Sequence, residues 1–268
     1  MSRFFVPKEF VKANSIYITG LEAHHILDVM RLKVLDEVVV FDGTGKEYTG
    51  IVKAADRKSL EVQIKSVRES SVGRGLLITL MQAIPKKAKM DYIAEKATEL
   101  GVFRIMPVTT ERTIPEWNDA KKAIIVERWR KIAREAAKQC GRSDIPEIGA
   151  IISFEELICH CEGAKRPKQS LKKRDCFAPS GLAMTDWGYD LKLIAAISDK
   201  AIKLKDVLKN SSGTKIAIAI GPEGDFTPEE TEGARSAGFR IVSLGPRILK
   251  SDTAALAALS IINYEYAN

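Results

Sequence analysis

Residues 216–220 read Ile-Ala-Ile-Ala-Ile, and the chain passes from them straight into Gly-Pro-Glu-Gly-Asp. Five apolar residues without a polar interruption suit a strand covered on both faces, which points to a mainly parallel sheet with helices above and below it. Thr227-Pro228-Glu229-Glu230 then carries the marks of a helix start, with Thr227 as N-cap, Pro228 at the first helical position and Glu230 closing a capping box. Gly221 to Asp225 is therefore expected at the carboxyl end of a strand, where open α/β sheets hold their ligands. A tight connecting loop accounts for the same residues.

The alternation of strand and helix extends over most of the chain. LLITLMQA (76–83), FRIMPV (103–108), LKLIAAI (191–197) and RIVSL (240–244) are further buried-strand candidates. Between them, residues 87–101 place Met90, Ile93, Ala94, Ala97 and Leu100 on one helical face, with Gly101 as the stop. A helix near 119–140 directs Trp129, Ile132, Ala133, Ala136 and Cys140 inward, and a last helix, 253–266, takes Ser251 or Asp252 as N-cap.

The first ~70 residues have a different rhythm. EVVVFDG (37–43), EYTGIVKA (47–54) and LEVQIKS (60–66) are β-branched runs at the spacing of a meander or small barrel, with Gly43 and Gly45 in a hairpin-like turn. Residues 22–34 set Ile26, Leu27, Met30 and Val34 near helical spacing, as for a helix packed on that sheet. The polar stretch 68–75 reads as a linker. Residues 162–190, rich in Lys, Arg, Gly and Pro, read as a surface insertion that adds positive charge. The expectation is an α/β protein with a β-barrel domain over 1–72 and a parallel-sheet domain over 73–268.

A length of 268 residues suits one large domain or two, and a net charge of +7 favours an anionic partner, with nucleic acid first in line, although surface solubility accounts for the same charge. No apolar run approaches the ~18 residues that span a bilayer. The N-terminus lacks the apolar core and cleavage site of a signal peptide, so a cytoplasmic location is expected. Four cysteines are too few for a disulfide scaffold at this length. Cys159-His160-Cys161 lacks both the spacing and the fourth ligand of a structural zinc site, and no metal is expected.

Two glycine-containing turns, GPEGDF (221–226) and LGPRILKSDTAA (244–255), each follow a buried-strand candidate and precede a helix. Neither has the pattern of a phosphate loop or a dinucleotide fingerprint. Their glycines Gly221, Gly224 and Gly245 let a ligand approach the main chain, and Pro222 and Pro246 stiffen the loops. Backbone N–H and C=O groups of this kind suit a neutral, flat heterocycle such as adenine.

These turns belong to a longer set of blocks: RFFV (3–6), HHILDVMRLKVLDEVVVFDGTGKEY (24–48), KMDYIAEKATELGV (89–102), TERT (110–113), ERWRKIAREAAKQCGRSDIPEI (127–148), IGPEGDF (220–226) and LGPRILKSDTAALAAL (244–259). In this order they resemble the RsmE family, the 16S ribosomal RNA uracil-N3 methyltransferases of the SPOUT superfamily. The resemblance implies an N-terminal PUA-like RNA-binding barrel and a SPOUT domain tied in a trefoil knot, a departure from the usual avoidance of knots. It further implies that S-adenosylmethionine binds in the knot of a homodimer. Ile220, Gly221, Pro222 and Gly224 would form one wall, and Leu244, Gly245, Ile248 and Leu249 with Thr253 another. The chain departs from the family pattern at Asp225, where glycine is usual, at Asp252, where Glu is usual, and in the length of 162–190.

Arg112 and Arg247 are candidates to stabilise negative charge on a uracil, by charge-assisted hydrogen bonds to its carbonyl oxygens. Arg247 is equally open to a structural reading, as a cation pairing Glu223 or Asp252. Glu223 is a candidate base that could instead order its loop, and no histidine is well placed. Candidate RNA contacts are Arg3, Arg31, Lys33, Lys86, Lys89, Arg128 and Arg142, any of which alone reads as a solvated charge. Two other functions fit the same residues: a non-catalytic RNA-binding or ribosome-assembly factor, and a SPOUT methyltransferase with another RNA target.

Overall fold

The computed structural model describes residues 3–56, 58–69, 75–162 and 188–266. Most of the basic insertion (163–187) and of the linker (70–74) lies outside the described residues. The chain divides into two compact units, Met1–Arg74 with Lys131–Pro146, and Gly75–Arg130 with Glu147–Asn268.

The first unit holds strands β1 (Arg3–Phe5), β2 (Ser15–Thr19), β3 (Glu37–Phe41), β4 (Lys46–Asp56) and β5 (Ser59–Glu69), with helix α1 (Gly20–His24) between β2 and β3. They form one sheet in the order β1-β3-β4-β5-β2, antiparallel except where β1 meets β3. The three β-branched runs are strands, and Gly43 and Gly45 take φ of 79° and 99° in the turn between β3 and β4. Asp42 is buried at the head of that turn, where its carboxylate accepts from the Thr44 N–H (2.9 Å), the Thr44 hydroxyl (2.7 Å) and the Tyr48 hydroxyl (3.1 Å). Burial, then the nearby Asp42 charge, push the Tyr48 phenol up to about 12.

The helix expected over 22–34 is shorter than its periodicity suggests. α1 passes into one π-helical turn, His25–Val29, and Arg31 then takes φ +55°, which ends the helix. Ile26 is buried and Leu27 packs against the same core, but Met30 and Val34 are exposed. Strand β2 carries an alternating SIYIT pattern, with Ile16 and Ile18 buried and Tyr17 exposed between them.

The second unit contains β6 (Leu77–Ala83), α2 (Lys89–Glu99), β7 (Arg104–Thr109), α3 (Asp119–Cys140), β8 (Glu147–Ile148), β9 (Ile152–Ser153), α4 (Phe154–Glu162), β10 (Leu191–Ala195), β11 (Ile202–Lys203), α5 (Leu204–Lys209), β12 (Lys215–Ile220), α6 (Pro228–Ser236), β13 (Arg240–Ser243) and α7 (Ser251–Tyr266). The C-terminal part of α3 belongs to the first unit. The strands form a parallel sheet in the order β11-β13-β10-β12-β6-β7-β8, with β9 also on β7.

Strand β12 sits inside this sheet, so Ile216 to Ile220 are all buried. Ala217 and Ala219 join Met81, Met106, Phe154, Leu157 and Ala234 in a core under α4 and α6. The alternate side chains, Ile216, Ile218 and Ile220, point to the opposite face, where α7 packs on β6, β12 and α2. Buried Met90, Ile93, Ala94 and Ala97 seat α2 as its spacing requires. On α3, Trp129, Ala133 and Ala136 are buried, whereas Cys140, the last helical residue, is exposed.

Candidate functional site

The strand order reverses around β10: β12 lies on one side of it and β13, the next long strand in the chain, on the other. The loops that leave these three strands diverge and open a crevice at their carboxyl ends, the place where doubly wound sheets bind ligands. Here the crevice is a cavity of about 750 Å³. Its walls come from 195–199 and Ala201 at the end of β10, from Ile220 to Glu223 with Asp225 at the end of β12, from 242–250 at the end of β13, and from Ser251 and Ala254 of α7. Both glycine-containing turns therefore face one space.

Local chemistry fixes each wall. Thr227 caps α6 through the full reciprocal box: its hydroxyl accepts from the Glu230 N–H at 3.1 Å, and the Glu230 carboxylate accepts from the Thr227 N–H at 2.9 Å. The GPEGDF loop is held at its base by Ser251, whose hydroxyl donates to the Gly221 carbonyl at 2.6 Å. That hydroxyl accepts in turn from the side-chain amide of Gln82, fully buried at the end of β6, at 2.9 Å. Ser251 and Asp252 lie within α7 rather than capping it, and the serine hydroxyl is committed to this buried chain. A Cβ on Gly221 would stand 3.1 Å from Asp225 Oδ1 and 3.3 Å from Phe226, so a larger residue would require these neighbours to give by a few tenths of an ångström. Gly245 takes φ +141°, a backbone conformation that other residues rarely adopt.

Of the residues singled out from the sequence, Ile220, Gly221, Pro222, Glu223, Leu244, Gly245, Arg247, Ile248 and Leu249 line the cavity. Gly224 and Thr253 are outside its wall, and Thr253 is exposed on α7. Arg112 is not in the wall either. It reaches the same loop from behind, donating to the Gly224 carbonyl at 2.6 Å.

Glu223 is a bound carboxylate. It accepts from the Lys89 ammonium at 2.7 Å and from the Lys86 N–H at 3.2 Å. Burial pushes its pKa up, but the bonds from Lys89, from Lys86 and from its own N–H outweigh that and hold it below the usual carboxylate range. Arg247 pairs with neither Glu223 nor Asp252. It is exposed at the cavity, and among the described residues it makes no hydrogen bond or ion pair.

The basic residues fall into two groups. Arg31, Lys33, Lys86 and Arg128 are exposed, although Arg128 pairs with Asp91. Arg3 is tied to Glu47 and to the Arg142 carbonyl, and Arg142 is itself buried, with its guanidinium on Asp144 at 2.5 Å. No group of three or more His, Cys, Asp or Glu among the described residues could hold a metal ion, and no described helix is long and apolar enough to cross a membrane.

The polar partners that shape the site were the part sequence reasoning missed. Gln82 and Ser251 gave no signal of their joint role, since 169 residues separate them. Asp225 stood out only as a departure from glycine; it occupies the left-handed region, φ +59°, which glycine adopts most readily and Asp tolerates better than most other residues.

Two family models match the chain in succession. An RNA methyltransferase domain family matches residues 74–263, and an RNA methyltransferase PUA domain family matches residues 18–65. Ribosomal RNA small subunit methyltransferase E of Bacillus subtilis (strain 168) is 28% identical over 268 residues, covering 99% of this chain and 97% of that protein. The protein of the same name from Synechocystis sp. is 30% identical over 258 residues, 96% of this chain and 75% of that one. Among solved structures, the ribosomal RNA small subunit methyltransferase E of Neisseria gonorrhoeae, bound to S-adenosyl methionine, superposes with a TM-score of 0.77 at 30% identity, covering 99% of this chain and 98% of that one. A Legionella pneumophila protein crystallised with bound SAM gives a TM-score of 0.76 at 29% identity, covering 98% and 96%. A PUA-like domain, a parallel-sheet methyltransferase domain and full-length likeness at this level place the chain in the RNA methyltransferase family, among the ribosomal RNA small subunit methyltransferases E (RsmE).

Proposed function

We propose that this protein transfers a methyl group from S-adenosylmethionine to N3 of a specific uridine in the 16S RNA of the small ribosomal subunit. The observation that carries the reading is the cavity at the carboxyl ends of β10, β12 and β13, walled by GPEGDF and LGPRIL, in a chain 30% identical to a protein solved with S-adenosyl methionine bound. The cofactor's adenosine would lie against the main chain of Ile220 to Pro222 and of Leu244 to Leu249, which lines the cavity. When bound, the cofactor supplies an electrophilic methyl on a sulfonium.

The chain's own task is to align that methyl with the uracil nitrogen, to accommodate loss of its proton and to stabilise the charge that then spreads to O2 and O4. Alignment is the largest contribution, since well-oriented reactants gain about 7–11 kcal/mol. Arg247 is the group assigned to the developing charge, because it stands at the cavity with no partner among the described residues. Arg112 and Glu223 act on the loop: one fastens the Gly224 carbonyl and the other fastens the loop to Lys89. A carboxylate held more acidic than usual is a poor proton acceptor at neutral pH, so the general base is not assigned to Glu223.

N3 lies on the Watson–Crick edge, so the target uridine must be unpaired or flipped out of its helix. In this reading the first domain, residues 1–72, is a PUA-like RNA-binding barrel and residues 73–268 are the catalytic domain, knotted where the loops after β12 and β13 meet. The working form in this reading is a cytoplasmic homodimer, with Ile248, 80% exposed beside the cavity, at the contact between subunits. The test is incubation of purified protein and S-adenosylmethionine with unmodified small subunits. A methyl on N3 blocks base pairing, so a new reverse-transcription stop at one uridine supports the reading. Transfer to a different base or a different RNA, or S-adenosylhomocysteine binding without transfer, would replace it.

A further inference from the structure

We propose that Asp225 is a positioning residue of the methyl-donor site, which clasps the loop after β10 to the loop after β12 and so pre-forms one side of the cavity. The inference rests on the reading that this cavity takes S-adenosylmethionine. Its basis is a bond between two walls. Asp225 Oδ2 accepts from the Ile197 N–H at 2.8 Å, and both residues line the cavity.

Strands β10 and β12 are neighbours in register, with Ala195 beside Ile220, so their loops leave the sheet side by side and then separate. Ala196 and Ala201 pack against the core at the two ends of this loop, and the stretch between them has few bonds of its own. Ile197 is 66% exposed, and the loop's internal bonds are those of a small turn, Lys200 N–H to Ser198 Oγ (3.2 Å) and Ala201 N–H to the Ser198 carbonyl (3.0 Å). The Asp225 carboxylate is the partner that ties the main chain at Ile197 across the crevice.

The backbone makes that reach possible. The Asp225 N–H closes a turn on the Pro222 carbonyl at 3.0 Å, and φ of +59° swings the side chain toward 197. A glycine would adopt this φ at less cost but would present no acceptor, leaving the loop after β10 untied. Aspartate accepts a small backbone penalty and gains a charged acceptor for a main-chain N–H. Asp225 Oδ1 meanwhile fills the side of Gly221 on which a Cβ would stand, 3.1 Å from that position, so the same carboxylate lies beside the turn that faces the cavity. A loop ordered before the cofactor arrives does not have to be ordered by it, which raises affinity without touching the chemical step.

Two substitutions separate the clasp from the backbone conformation. Asp225→Asn keeps an acceptor and tolerates the left-handed region, whereas Asp225→Gly keeps the conformation and deletes the acceptor. We expect S-adenosylhomocysteine to bind Asp225→Asn within about 3-fold of wild type and Asp225→Gly about 10-fold more weakly, a difference of ~1.4 kcal/mol. KM for S-adenosylmethionine should rise in parallel for Asp225→Gly with kcat unchanged. Amide exchange at Ile197 should be slowed in wild type and Asp225→Asn and fast in Asp225→Gly. Wild-type affinity or a protected Ile197 amide in Asp225→Gly would overturn the clasp alone. A wild-type protein that binds no S-adenosylhomocysteine would overturn the underlying reading of the cavity together with it.

Discussion

Ser251 gives its hydroxyl proton to the Gly221 carbonyl at 2.6 Å, which fixes the first turn of α7 against the loop after β12. The hydroxyl is buried and is also the acceptor for Gln82, so neither neighbour has water to turn to if it is lost. Ser251→Ala should cost about 1–3 kcal/mol, the penalty of leaving a buried donor and acceptor unpaired. It should weaken S-adenosylhomocysteine binding at the same time, because the loop it holds faces the cavity. Combining it with Gln82→Leu should cost less than the two single losses together, since both break one chain of bonds. Strict additivity in thermal melts would show that the chain does not act as a unit.

The Lys89–Glu223 pair predicts a one-sided pH dependence. The folded-state pKa of Glu223 is depressed, so its contribution is complete above its unfolded value, ~4.3, and is lost as pH falls through the lower folded value. Cofactor binding by the wild type should therefore show an acid step that Glu223→Gln lacks. The pair is partly exposed, with side chains 30% and 25% accessible, so the substitution should lower stability by at most ~1 kcal/mol. Between pH 6 and 9 the rate profiles of the two proteins should have the same shape. A basic limb that disappears in Glu223→Gln would instead make this carboxylate the proton acceptor.

The sequence disclosed what is decided locally. The run Ile216 to Ile220 read as a strand covered on both faces and is one, and the capping box of Thr227 and Glu230 needs no residue outside its own turn. Chemistry that depends on distant partners stayed hidden. Glu223 finds Lys89 from 134 residues away, and that pairing leaves Arg247 without the structural partner its neighbours suggested. Periodicity also overran its evidence at Met30 and Val34, where the spacing continued but a left-handed Arg31 had already turned the chain. Arg142 shows the same limit for charge. Nothing in its neighbourhood of the sequence distinguishes a buried arginine on Asp144 from a solvated one such as Arg31.

That difference between arginines sets the third expectation. Arg31→Glu and Lys86→Glu should weaken binding to small subunits and flatten its dependence on salt, by about 0.7–0.9 in log–log slope for each phosphate contact removed. Melting temperatures should hardly change, because both side chains are exposed. Arg142→Glu should do the reverse. It leaves Asp144 facing a buried like charge, so stability should fall by several kcal/mol. A large salt-slope change from a stably folded Arg142 variant would place that residue on the RNA after all.

Arg247 carries the most exacting expectation, because it combines exposure, a position in the cavity wall and the lack of a partner among the described residues. A side chain that holds nothing in the resting protein can be removed without structural loss, so Arg247→Ala should melt within about 0.5 kcal/mol of wild type. It should also bind S-adenosylhomocysteine nearly unchanged, since the cofactor is assigned to the main chain of its loop. The loss belongs in kcat, by about 10²–10³-fold, the usual effect of deleting one donor aimed at developing negative charge. Arg247→Lys should recover only part of it, because an ammonium cannot reproduce the planar fork of a guanidinium against a carbonyl edge. Equal losses in cofactor affinity and kcat would assign the side chain to the cofactor instead, and an unaffected kcat would remove Arg247 from the chemistry.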